Sequence, residues 1–81
     1  MSRQQIAQLV RERLNHHHPD GTTLTLLDEE ARLEGDVWYI PVRPNRQPAR
    51  TFEYYNALAE VETELSLDNQ LKVFLIPDLP E

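Results

Sequence analysis

The chain has no cysteine, which excludes disulfides, thiol nucleophiles and thiolate metal sites together. Its only glycines are Gly21 and Gly35, so no glycine-rich phosphate loop can be assembled. Long apolar runs are missing too. A run such as Val73 to Ile76 is far short of the ~20 residues that a membrane-spanning helix requires. The stretch Met1-Ser2-Arg3-Gln4-Gln5 has no apolar segment of the secretory kind. Basic residues are the minority, 8 Lys and Arg against 14 Asp and Glu, for a formal net charge of −6. That balance argues against a general nucleic-acid or membrane-surface binder, because phosphate attraction needs a positive field. These absences together predict a soluble, cytoplasmic protein that uses no membrane.

What is present reads as one small globular unit. The 81 residues, 40% hydrophobic and 27% charged, suit a single α+β domain over 1–81 with a modest core. Ser2 and Gln5 have capping-box spacing. Ile6, Leu9, Val10 and Leu14 then form one stripe of a 3.6-residue helix, and Arg11 and Arg13 suit the negative pole of its dipole. Pro19 disfavours helical backbone at His18, so this helix is expected to stop by His16 or His17. Thr22 to Leu27 reads as a strand. Asp28 to Leu33 is ambiguous between a continued strand and a solvated acidic ribbon. Gly35 supplies a turn into a return strand, Val37 to Val42. That strand places Trp38, Ile40 and Val42 on one face and Val37, Tyr39 and Pro41 on the other.

Arg43 to Arg50 reads as a loop stiffened by Pro44 and Pro48. A second helix is expected from an N-cap at Thr51. Its stripe is Tyr54, Leu58, Val61 and Leu65, widened by Phe52, Tyr55 and Ala59, and it ends before Asp68-Asn69. Leu71 to Ile76 is apolar except at Lys72, the pattern of a strand covered on both faces. Residues 77–81 form an acidic C-terminal tail. The order α-β-β-α-β predicts a two-layer sandwich: a three-stranded mixed sheet with both helices on one face, the second and third strands parallel. Pro41, which has no N–H for a ladder, predicts the second strand at an edge and the first in the centre. The third strand is then also at an edge, which conflicts with its apolarity.

The chemistry predicted is binding, not catalysis. Ser2 and Ser66 have no histidine or acid at a useful spacing. The acids Asp28, Glu29, Glu30, Glu60, Glu62 and Glu64 read as solvated. No catalytic residue, cofactor or metal site is predicted. His16, His17 and His18 are expected as a solvated helix end, because successive helical side chains diverge by about 100°. Two features stand out. Arg43, Arg46 and Arg50 give an acidic chain a local positive stretch, suited to carboxylate or phosphate and leading into a helix N-terminus. Val37 and Tyr39, together with either Leu71, Val73 and Leu75 or Phe74 and Ile76, exceed what two helices can cover. Uncovered apolar groups of that kind mark an association surface, with Val37, Tyr39, Phe74 and Ile76 as its candidate residues. The expectation is a non-enzymatic protein-interaction domain, a homodimer or a subunit of a larger assembly, whose arginine loop docks an acidic or phosphorylated partner. The alternative is single-stranded nucleic acid held by the same arginines, with Tyr39, Tyr54 or Tyr55 stacking on bases.

Overall fold

A computed structural model describes residues 2–79. Helix α1 (Arg3–Leu14) opens on the capping box read from the sequence. Gln5 N–H donates to Ser2 Oγ at 3.2 Å, and Ser2 N–H donates to Gln5 Oε1 at 2.9 Å. The helix buries Ile6, Ala7, Val10 and Leu14, and stops at Leu14, two residues before His16. A 3₁₀ turn (Pro19–Gly21) leads to strand β1 (Leu24–Leu26). A second 3₁₀ turn (Asp28–Glu30) separates β1 from β2 (Arg32–Glu34). A turn at Gly35, whose φ is +63°, starts β3 (Val37–Pro44). Helix α2 (Thr51–Asn69) and β4 (Val73–Pro77) complete the fold.

The sheet has four strands rather than three. The ambiguous segment Asp28 to Leu33 divides: its first half is the 3₁₀ turn, and its second half enters β2. Strand β3 pairs antiparallel with both β1 and β2, and parallel with β4. Trp38 is flanked by Leu33 and Val73, and Val42 by Leu26 and Pro77. Strand β3 is therefore central, and β1 and β2 share its other side as one interrupted strand.

This corrects the edge position expected from Pro41. In a strand, the N–H and C=O of one residue point to the same side. Pro41 C=O accepts from Leu27 N–H at 3.0 Å, so its missing donor faces the β1/β2 side. The ladder there is already broken. From Leu26 to Arg32 the chain advances six residues while their partners, Val42 and Tyr39, are three apart on β3. The extra residues form the Asp28–Glu30 turn, a large bulge opposite the proline. A central proline is tolerated because no donor is required at that point.

Both helices cover one face. Helix α1 packs on β1, α2 packs on β4, and the helices touch each other. Leu24, Leu26, Ile40, Val42, Val73 and Leu75 point into this layer and are buried. Tyr54 is wholly buried at its centre; its hydroxyl donates to Val42 C=O at 2.5 Å and accepts from Asp78 N–H at 3.1 Å. Burial pushes the phenol's pKa up, so it remains a donor that ties the ends of β3 and β4 together.

Other boundaries move for local reasons. The N-cap of α2 is Arg50, one residue before Thr51, and α2 continues to Asn69. Gln70, at φ +54°, ends it with its N–H on Leu65 C=O. Phe52, Tyr55 and Ala59, expected to widen the buried stripe, lie on the solvent side. Of the expected acidic tail, Pro77 belongs to β4 and Asp78 pairs with Arg43 at 2.7 Å. Leu79 packs against the core, while Pro80 and Glu81 lie outside the described residues. Among the described residues, no helix is long and apolar enough to cross a membrane.

Candidate functional site: the open face of the sheet

The alternation that buries Ile40, Val42, Val73 and Leu75 turns their neighbours to the opposite face. Register sets Tyr39 beside Phe74 and Pro41 beside Ile76. The rings of Tyr39 and Phe74 lie 5.8 Å apart at an interplanar angle of 45°, a tilted aromatic pair. Phe74 is 51% exposed, and Val37, Tyr39, Pro41 and Ile76 are half-buried. The four apolar site residues expected from the sequence are thus on one surface. Strand β4 is apolar throughout, yet only one of its faces is covered, which corrects the expectation that both would be.

Charge closes the ends of this surface. At the Val37 end Lys72 Nζ lies 2.7 Å from Asp36; at the other, Arg43 donates through Nε and Nη2 to Asp78 at 3.1 and 2.7 Å. Arg32 stands beside Tyr39, and the acidic turn borders a shallow cleft lined by Glu29, Glu30, Ala31, Arg32, Pro41 and Ile76.

Both sheet edges are blunted. Lys72 C=O accepts from Trp38, and Asp78 N–H donates to Val42. Val73, Leu75 and Pro77 therefore point their backbone groups to the outer edge. Leu75 N–H is taken by Glu62 Oε2 at 2.7 Å, and Pro77 has no N–H. The opposite edge is cut into two strands of three residues by the 3₁₀ turn. Features of this kind discourage strand addition. The face is open and the edges are not.

The arginines of the loop are exposed, but each has a partner within the chain. Arg43 is held by Asp78, Arg46 donates to the backbone oxygen of Asp20 at 2.9 Å, and Arg50 lies 3.4 Å from Glu53. Asp20 takes the anion position before α2: its carboxylate accepts from Ala49 N–H at 2.6 Å and Arg50 N–H at 3.2 Å. It does so from left-handed backbone, φ +53°, which aspartate tolerates better than most residues. At Gly21, a Cβ would sit 3.3 Å from the Arg46 guanidinium, so the Asp20-Gly21 pair shapes this anchor. Asp20 was missed as a loop organiser; its signal was the Pro19-Asp20-Gly21 turn, whose distant partner no local pattern names. Tyr54 is fully buried and offers no ring to a base.

The histidines separate. His16 is exposed and His18 contacts Thr22 C=O at 3.3 Å. His17, expected at a solvated helix end, instead sits between Glu60 and Glu64, its Nδ1 3.4 Å and its Nε2 3.0 Å from them. Arg13 joins the cluster, 3.4 Å from Glu64 and 2.8 Å from Asp68. The hydrogen bond with His17, helped by the nearby charge of Arg13, holds the Glu64 carboxyl below its ordinary pKa. The cluster fastens the end of α1 to α2. Among the described residues, no group of three or more histidine and acidic side chains is arranged to hold a metal ion. Compared with protein-family models, with curated proteins and with solved structures, the chain matches none.

Proposed function

We propose that this protein is a non-enzymatic interaction domain that self-associates through the open face of its sheet. The observation that carries the reading is the contiguous set Val37, Tyr39, Pro41, Phe74 and Ile76 on the face that α1 and α2 leave uncovered. Exposed apolar patches rimmed by charge are characteristic of association surfaces. Blunted edges favour packing through the face over strand addition. The arginine loop has no part in this surface beyond Arg43, because Arg46 and Arg50 already engage Asp20 and Glu53. That pairing within the chain favours the sheet face over an acidic partner or single-stranded nucleic acid at the loop.

Sedimentation equilibrium tests the reading. The unaltered chain is expected to reach twice its 9.5 kDa mass as its concentration rises through the micromolar range. Phe74→Glu is expected to stay monomeric with an unchanged circular dichroism spectrum. A wild-type monomer across that range overturns the proposal.

A further inference from the structure

We infer that the second copy seats on the open face about a twofold axis crossing the strands at the level of Ile40 and Leu75. This rests on the self-association proposed above and specifies its geometry. The face is a grid fixed by register: one row holds Arg32, Tyr39 and Phe74. The next holds the acidic turn, Pro41 and Ile76. The Lys72–Asp36 pair lies beyond the first row, and the Arg43–Asp78 pair beyond the second.

A twofold interface sets one patch against itself. With the axis across the strands, the rows exchange. Phe74 then lies over the partner's Ile76, and Tyr39 over the partner's Pro41. Arg32 meets the partner's Glu29 and Glu30, and the Lys72–Asp36 end meets the partner's Arg43 and Asp78. Apolar groups cover apolar groups, and each charged feature finds one of opposite sign. With the axis along the strands, each row meets itself from the other side. Arg32 would then cover the partner's Phe74, and the acidic turn would cover the partner's Ile76. Carboxylates would lose water against hydrocarbon with no cation opposite, which is costly. Arg32, Arg43 and Lys72 border this face together with Glu29, Glu30, Asp36 and Asp78, so charges of both signs stand ready to pair across it.

The absence of native cysteine permits an unambiguous test. Arg32→Cys, Glu30→Cys and Phe74→Cys are made as separate single variants at exposed positions, with folding checked by circular dichroism. Facing sheets stack about 10 Å apart, so the thiols are joined with a bismaleimide of similar reach. Mixing Arg32→Cys with Glu30→Cys is expected to give a cross-linked dimer. Mixing Arg32→Cys with Phe74→Cys is expected to give no mixed dimer, each variant alone serving as the control. Cross-linking in the second mixture but not the first overturns the axis while leaving the face as the interface. Should neither mixture cross-link, sedimentation of the wild-type chain separates the two failures: a dimer overturns this arrangement alone, a monomer overturns self-association with it.

Discussion

The two faces of the sheet are built from the same strands and differ in every other respect. On β3 and β4, Ile40, Val42, Val73 and Leu75 are sealed under two helices, while Tyr39 and Phe74, one residue along, are not. The covered side chains hold the monomer together. Of the open ones, Phe74 can be removed with little loss to it, since half of that residue's surface already meets solvent. Hydrophobicity alone therefore does not assign a role to a residue; coverage does.

The largest expected effect breaks this comparison directly. Ile40→Ala should destabilise the monomer by about 2–5 kcal/mol, the usual range for a large-to-small change in a packed core. Phe74→Ala should cost the monomer under ~1 kcal/mol. Urea unfolding of both at low protein concentration checks the contrast, and similar losses would erase the distinction between faces. Next is the anchor that aligns α2 over the covered face. Asp20→Ala leaves two N–H groups without their carboxylate, and an expected loss of about 1–2 kcal/mol is measurable in the same way.

Tyr54→Phe keeps the buried ring and removes only its hydroxyl. Asp78 N–H retains Val42 C=O at 3.0 Å, so the cost should stay near ~1 kcal/mol; a much larger loss would make the hydroxyl the main link between β3 and β4. Gln70→Gly should stabilise by about 0.5–1 kcal/mol, since left-handed backbone at a helix end favours glycine. No change in the urea midpoint would show that glycine's greater unfolded freedom offsets the gain.

The smallest effect concerns the clasp between the helices. Glu64 has its pKa lowered on folding, so its ionised form contributes stability above the ordinary carboxylate range, lost as pH falls through its folded value. The stability difference between wild type and Glu64→Gln should therefore be present above the ordinary carboxylate range and shrink on acidification below about pH 4.5. A difference independent of pH would assign the effect to packing.

Much of the fold was legible because its signals are local. The capping box and the Ile6, Val10, Leu14 stripe identify α1 without knowledge of anything else in the chain. Alternation along Val37 to Val42 assigns its side chains to the correct faces. Legibility failed where an outcome depended on a distant segment. Pro41 signals an edge only if an intact strand lies on the side of its missing donor, and the bulge at Asp28–Glu30 removes that condition. Phe52 and Tyr55 fit the apolar periodicity of α2 but lie on the side of the helix turned to solvent, which the helix's own sequence does not distinguish. The arginines were visible as a basic stretch, while Asp20 and Asp78, which hold two of them, lie 26 and 35 residues away along the chain.

The amino-acid order by itself determined the elements, their amphipathic sides and the surplus of apolar groups on two strands, since each depends on side chains a few positions apart. Only the tertiary structure decided that β3 is central, that the edges are blunted and that the arginines of the basic loop pair with Asp78, Asp20 and Glu53. Those outcomes depend on which distant donors, acceptors and charges meet, and that is set by packing rather than by periodicity.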